Sequence, residues 1–129
     1  MLIEAYFQLF ASWISSYPFI VTSDINYQAR RPSLGFIRGE MQFRDGSILH
    51  VREFVDVEDR IDRLAYAYQY MTSTGHLIFR YDNADHHKYL QLATHPHHKH
   101  DGAEDRIVAS SIRDLSAVLQ EIERTIPFN

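Results

Sequence analysis

Between residues 2 and 15, apolar side chains fall at Leu2, Ile3, Tyr6, Phe7, Leu9, Phe10, Trp13 and Ile14, leaving a narrow polar stripe of Glu4, Gln8, Ser12 and Ser15. Recurrence at three and four residues predicts a helix that is apolar around most of its circumference. From residue 19 the period changes. β-branched and aromatic residues run to about residue 27, and residues 34–43 alternate Phe36, Arg38 and Glu40 against Ile37, Gly39, Met41 and Phe43. Asp45-Gly46 is a hairpin signal that returns the chain through residues 48–57. A further run puts Leu64, Tyr66, Tyr68 and Tyr70 on one face and Ala65, Ala67 and Met71 on the other, before Thr74-Gly75 turns into residues 76–81. Ser111-Ile112-Arg113-Asp114 resembles a capping box, and Ile112, Leu115, Val118, Leu119 and Ile122 form the stripe of a second helix that Pro127 stops.

This order predicts an α+β fold: an antiparallel β-sheet meander of four to five strands flanked by an N-terminal and a C-terminal helix, both on one face. Arg30-Arg31-Pro32-Ser33 reads as a loop within it. The uncovered face would carry Arg38, Glu40, Arg52 and Arg80, with the histidine-rich segment folded over them.

Composition narrows the class. The 129 residues, 45% hydrophobic and 23% charged, suit one domain over residues 1–129, without repeats or linker-like stretches. The absence of cysteine excludes a disulfide framework, a thiolate metal site and a cysteine nucleophile, and suits a reducing cytoplasm. The N-terminal stretch lacks a basic signal-peptide region, and no apolar run reaches the roughly 18–20 residues a membrane-spanning helix needs. A net charge of −4 argues against a broad nucleic-acid surface and leaves room for a local basic site.

Chemistry concentrates late in the chain. Six of the eight histidines lie from His86 to His100, among Arg80, Asp82, Asp85 and Lys99. Imidazole titrates near neutrality, so two histidines with cationic neighbours can cleave RNA without a metal. One takes the 2′-hydroxyl proton, one protonates the 5′-oxygen, and the cations offset the phosphorane charge. His86, His87, His97, His98 and His100 form the candidate proton-transfer pool, Arg80 and Lys99 the phosphate contacts, and Asp82 and Asp85 would orient His86 and His87. No metal or other cofactor is required by that mechanism. A metal-dependent hydrolase is the alternative, because His95-x-His97 and His98-x-His100 are chelating spacings on an extended segment that Asp82 or Asp85 would complete. A noncatalytic binding module is a third reading.

Glu53 stands alone among Leu49, Val51 and Val55 on an otherwise apolar strand face. Since an unpartnered buried charge is costly, it is either a general base or the partner of an arginine or histidine, or else a kink or edge strand exposes it to pair with Arg38 or Arg52. Arg38 and Arg52 would otherwise contact substrate. Tyr66, Tyr68 and Tyr70 read as core before they read as a base-stacking platform. Leu2, Tyr6, Leu9 and Trp13 on the first helix either pack on the sheet or receive a partner, including a second copy of the chain.

Gly35-Phe-Ile-Arg-Gly39, Leu49-His-Val-Arg-Glu-Phe-Val55, Tyr66-Ala-Tyr-Gln-Tyr70, Phe79-Arg-Tyr-Asp-Asn83 with His86-His87, and Pro96-His-His-Lys-His100 together resemble the TumE family of toxins, over roughly residues 18–122. Asp85 and Thr94-His95 depart from the pattern, which touches only the rigidity of the loop and any role for His95. The resemblance implies a cytoplasmic, growth-inhibiting toxin of a type II toxin-antitoxin system, neutralised by a TumA-like antitoxin with a helix-turn-helix DNA-binding domain. Joined to the histidine chemistry, it makes a metal-independent endoribonuclease the leading expectation.

Overall fold

A computed structural model describes residues 1–126; the expectation that Pro127 ends the second helix lies outside them. The first helix, α1 (Ile3–Ser15), begins where the Ile3 amide donates to the Pro32 carbonyl at 2.8 Å. Seven strands follow in sequence: β1 (Ile20–Arg31), β2 (Leu34–Phe43), β3 (Ile48–Asp56), β4 (Asp62–Met71), β5 (Leu77–Asp82), β6 (His98–Asp101) and β7 (Ile107–Ala109). They pair antiparallel in chain order as a single meander. Helix α2 (Leu115–Glu123) closes the described chain.

The meander is longer than the four to five strands expected. Strands β6 and β7 are four and three residues long, and β6 reads His-Lys-His-Asp, which has no apolar alternation to announce it. Hydrogen bonding to the exposed edge of β5 makes it a strand. Two smaller expectations also change. Arg30 and Arg31 belong to β1, leaving only Pro32 and Ser33 for the turn. The N-cap of α2 is Asp114, whose Oδ1 accepts from the Ala117 amide at 2.8 Å, so the helix starts one turn later than a box opening at Ser111 implies.

Alternation sorts the sheet into two faces. Ile37, Met41, Leu49, Val51, Val55, Tyr66, Tyr68, Tyr70, Phe79 and Tyr81 are buried beneath the helices, where α1 contributes Ile3, Tyr6, Phe10 and Ile14, and α2 contributes Leu115, Val118, Leu119 and Ile122. The tyrosine stripe is therefore core. Tyr6 is fully buried and Leu9 and Trp13 pack against the core, so of the four α1 residues weighed for a partner only Leu2 stands exposed, at 62%.

A bulge breaks the alternation of β4. Phe54 pairs with Ala65 but Val55 pairs with Arg63, making Leu64 the extra residue; it turns outward to 47% exposure while Arg63 swings to the covered side. Between β1 and β2, Gly39 allows a close approach. A Cβ there would lie 2.2 Å from the Asp24 carbonyl oxygen and 2.7 Å from the Ile25 Cα, both backbone atoms. Gly39→Ala is expected to cost about 1–3 kcal/mol as an overpacking change, read as a fall in unfolding temperature.

Candidate functional site

The uncovered face is built from the alternate residues of β2 to β6. Arg38 and Arg52 are cross-strand neighbours, as are Arg80 and His100, and Asp82 and His98. Between Arg52 and Asp82 β4 presents the small Ala67, with Ala65 beside it and Gln69 next to Arg80, so the middle of the face is low. The result is a cleft of about 750 Å³ with Arg38 and Arg52 on one side, and Arg80, Asp82, His87 and His100 on the other. His86 lines it from an exposed position.

Its deep end is a compact polar cluster. His98 and His100 are 1% and 2% exposed, and their Nε2 atoms stand 3.1 Å apart. The Asp82 carboxylate spans the pair, with Oδ1 2.9 Å from His98 Nε2 and Oδ2 3.5 Å from His100 Nε2. The far side of each ring is anchored to backbone: His98 Nδ1 donates to the Pro96 carbonyl at 2.8 Å and His100 Nδ1 to the Glu104 carbonyl at 2.7 Å. Both rings are thereby fixed in orientation. His87 packs edge-on against them at centroid distances of 4.9 and 5.5 Å. Burial and the neighbouring His98 lower the pKa of His87, so it is held neutral.

Arg80 is fully engaged. It meets Glu104 through two bonds of 2.8 Å, Asp82 at 3.0 Å, Gln69 at 3.1 Å and His100 Nε2 at 3.2 Å. So bound, it braces the cluster; a free phosphate clamp it is not. Arg38 and Arg52 are exposed and have no ion pair or hydrogen bond among the described residues, which leaves them as the available cations.

Several expected site residues go elsewhere, Lys99 by the alternation of β6 and His95 and His97 from the segment that precedes it. Lys99 points to the helix side, over the rings of Phe79 and Tyr81 at 5.3 and 5.1 Å and within 3.5 Å of Glu121. His97 also lies on that side, stacked on Tyr66, with its Nδ1 2.8 Å from the Tyr66 hydroxyl; burial and the Arg113 charge lower its pKa. His95 pairs with Asp85 at 2.6 Å near the surface. Thus the His95-x-His97 spacing is not a chelate, and Asp82 orients His98 and His100 instead of His86 and His87.

Glu53 is fully buried on the covered face, so it is not a base for this cleft. The Tyr6 and Tyr68 hydroxyls donate to its two oxygens, and Arg63 Nε forms an ion pair at 3.5 Å. Neither Arg38 nor Arg52 reaches it: both stand on the opposite face of the sheet. Burial raises the Glu53 pKa despite these partners. Sequence reasoning missed Arg63 and Glu104 altogether. The first is turned inward by a bulge with no local signature, and the second reaches Arg80 across 24 positions of chain.

The fold and site define a small α+β protein, a helix-covered antiparallel sheet whose imidazole, carboxylate and guanidinium groups gather on its bare face. The chain belongs to the TumE toxin family, whose model, described as Toxin TumE, matches residues 10–126. As a toxin it implies a cognate antitoxin. No curated protein and no solved structure matches the chain. No helix among the described residues is long and apolar enough to cross a membrane.

Proposed function

We propose that the protein is the toxin of a type II toxin-antitoxin pair and acts in the cytoplasm as an endoribonuclease, restrained by a TumA-like helix-turn-helix antitoxin. One observation carries this reading: two unpaired arginines, Arg38 and Arg52, share one cleft with Asp82 and His100, behind which His98 completes a buried cluster. Arginine suits a phosphodiester through its fixed fork of donors, and the Ala65 and Ala67 floor leaves depth for a strand. The net charge of −4 fits a local grip better than a long nucleic-acid track.

In-line attack of a 2′-hydroxyl needs a proton acceptor and a proton donor on opposite sides of phosphorus. Nitrogens 3.1 Å apart cannot straddle it. His98 and His100 therefore work as one unit with Asp82 on the attacking or leaving side, and exposed His86 at the rim is the available partner on the other. This reduces the five-histidine pool, since His97 faces the helices, and Lys99, expected at the phosphate, does too.

The test is purified protein with end-labelled RNA. Wild type is expected to leave 2′,3′-cyclic phosphate ends, and the Arg38→Ala/Arg52→Ala double variant, altered only at exposed positions, to cleave about 100-fold more slowly or worse. Intact RNA with wild type, both in EDTA and with divalent metal, or undiminished cleavage by the double variant, would overturn the reading.

A further inference from the structure

The interior of the Asp82–His98–His100 cluster has an arrangement that direct proton transfer does not require. A carbonyl oxygen can only accept a hydrogen bond. The Nδ1 contacts to the Pro96 and Glu104 carbonyls therefore place a ring proton of each histidine on Nδ1 and turn both Nε2 atoms inward, where each can offer a lone pair. Those nitrogens face each other at 3.1 Å, and Asp82 adds oxygens at 2.9 and 3.5 Å. These inward-facing nitrogens and oxygens can lie this close in so dry a site only with a proton or a cation among them.

Arg80 Nη2, 3.2 Å from His100 Nε2, meets only part of that demand, because its guanidinium is already neutralised by Glu104. Nitrogen ligands bound at about 2.0–2.1 Å lie roughly 2.8–3.4 Å from each other between the octahedral and tetrahedral limits, a range that includes the 3.1 Å between the two Nε2 atoms. A third imidazole is at hand. One ring nitrogen of His87 lies within 4.8 Å of its counterparts on His98 and His100, and His87 Nδ1 is buried with no hydrogen-bond partner. Backbone carbonyls gripping the outer nitrogens of His98 and His100 are the support that metal-ligating histidines have.

We infer that His87, His98, His100 and Asp82 form a binding site for one divalent transition-metal ion of the zinc class. Three imidazoles and a single carboxylate suit zinc, nickel or ferrous iron, whereas magnesium and calcium favour oxygen shells. Counting the groups that face the cluster, Asp82 and Glu104 against Arg80 leave one negative charge to receive the ion. The ion site does not depend on the ribonuclease reading. Together with that reading, it makes His98 and His100 ligands in place of proton carriers, and puts a Lewis acid beside the phosphate that Arg38 and Arg52 hold.

The experiment is calorimetric titration of the metal-stripped full chain with ZnCl2 and, separately, MgCl2, with unfolding temperature as a second readout. One equivalent of Zn²⁺ is expected to bind and raise the unfolding temperature, and Mg²⁺ to do neither. His98→Ala and His100→Ala should weaken Zn²⁺ binding by roughly 100-fold or more, taking the loss of a ligand to exceed that of its supporting contacts. His87→Ala, at a half-buried position less critical for folding, should weaken it about tenfold or more by the same comparison. His76→Ala, on a remote exposed turn, should leave it unchanged. Absence of stoichiometric Zn²⁺ uptake, or uptake unaltered in the His87 and His98 variants, overturns the site. Zn²⁺ uptake with no RNA cleavage keeps the site and sinks the ribonuclease reading; full-rate cleavage in EDTA by protein that takes up no Zn²⁺ does the reverse.

Discussion

Glu53→Ala is expected to cost about 3–5 kcal/mol of folding stability, the range for removing one partner of a buried ion pair. For a chain of this length that lowers the unfolding temperature by about 10–20 °C. The cost has named sources. Arg63, with a side chain 14% exposed, would keep its charge on the covered face of the sheet without a counterion. The Tyr6 and Tyr68 hydroxyls would lose their acceptors in the core, and a cavity would open between β3, β4 and α1. Growth arrest would weaken with it, through loss of folded protein alone. Thermal unfolding followed by circular dichroism is the measurement. An Ala variant as stable as wild type would show that the carboxylate does not hold α1 to the sheet.

Glu53→Gln should cost less, because an amide fills the space and still accepts a hydrogen bond. The comparison also carries a pH signature. Burial raises the Glu53 pKa above its unfolded value, so the folded state binds this proton more tightly. Stability gained from protonation is fully present below the ordinary carboxylate range and is lost as pH rises through the folded value. Glutamine does not titrate, so wild type should lose stability relative to Glu53→Gln as pH rises through that window.

Asp82→Asn should nearly abolish growth arrest while leaving the protein folded, a drop in activity of about 10²–10⁴ by comparison with other carboxylates that orient a reacting histidine. Asp82 is the group on which the cluster turns: it contacts His98, His100 and Arg80 at once. Asparagine keeps an acceptor for the Ala84 amide, and Arg80 keeps Glu104, so the backbone and the brace survive. What is lost is the negative charge between the two imidazoles, needed equally if they carry protons or hold an ion. The measurement is growth after induction without antitoxin, with soluble protein quantified alongside. Full arrest by a soluble Asp82→Asn variant would place the toxic activity elsewhere on the molecule. Set beside Glu53→Ala, it separates a carboxylate that builds the fold from one that serves the site.

The amino-acid sequence by itself determined the two helices, the first five strands and their hairpin turns at Gly46 and Gly75, because each rests on local periodicity and on residues that accept positive φ. The bare face carrying Arg38, Arg52 and Arg80, and the family resemblance, were equally legible. Tertiary structure alone decided which histidines meet. Strand β6 exists only by pairing with β5 and β7, and its register sends His98 and His100 to Asp82 while sending Lys99, like His97 just before the strand, to the helices. A one-residue bulge at Leu64 likewise chose Arg63 as the partner of Glu53. In both cases the physical reason is the same: a side chain's face is set by strand parity, and parity depends on hydrogen-bond register with a distant segment, which no local pattern encodes.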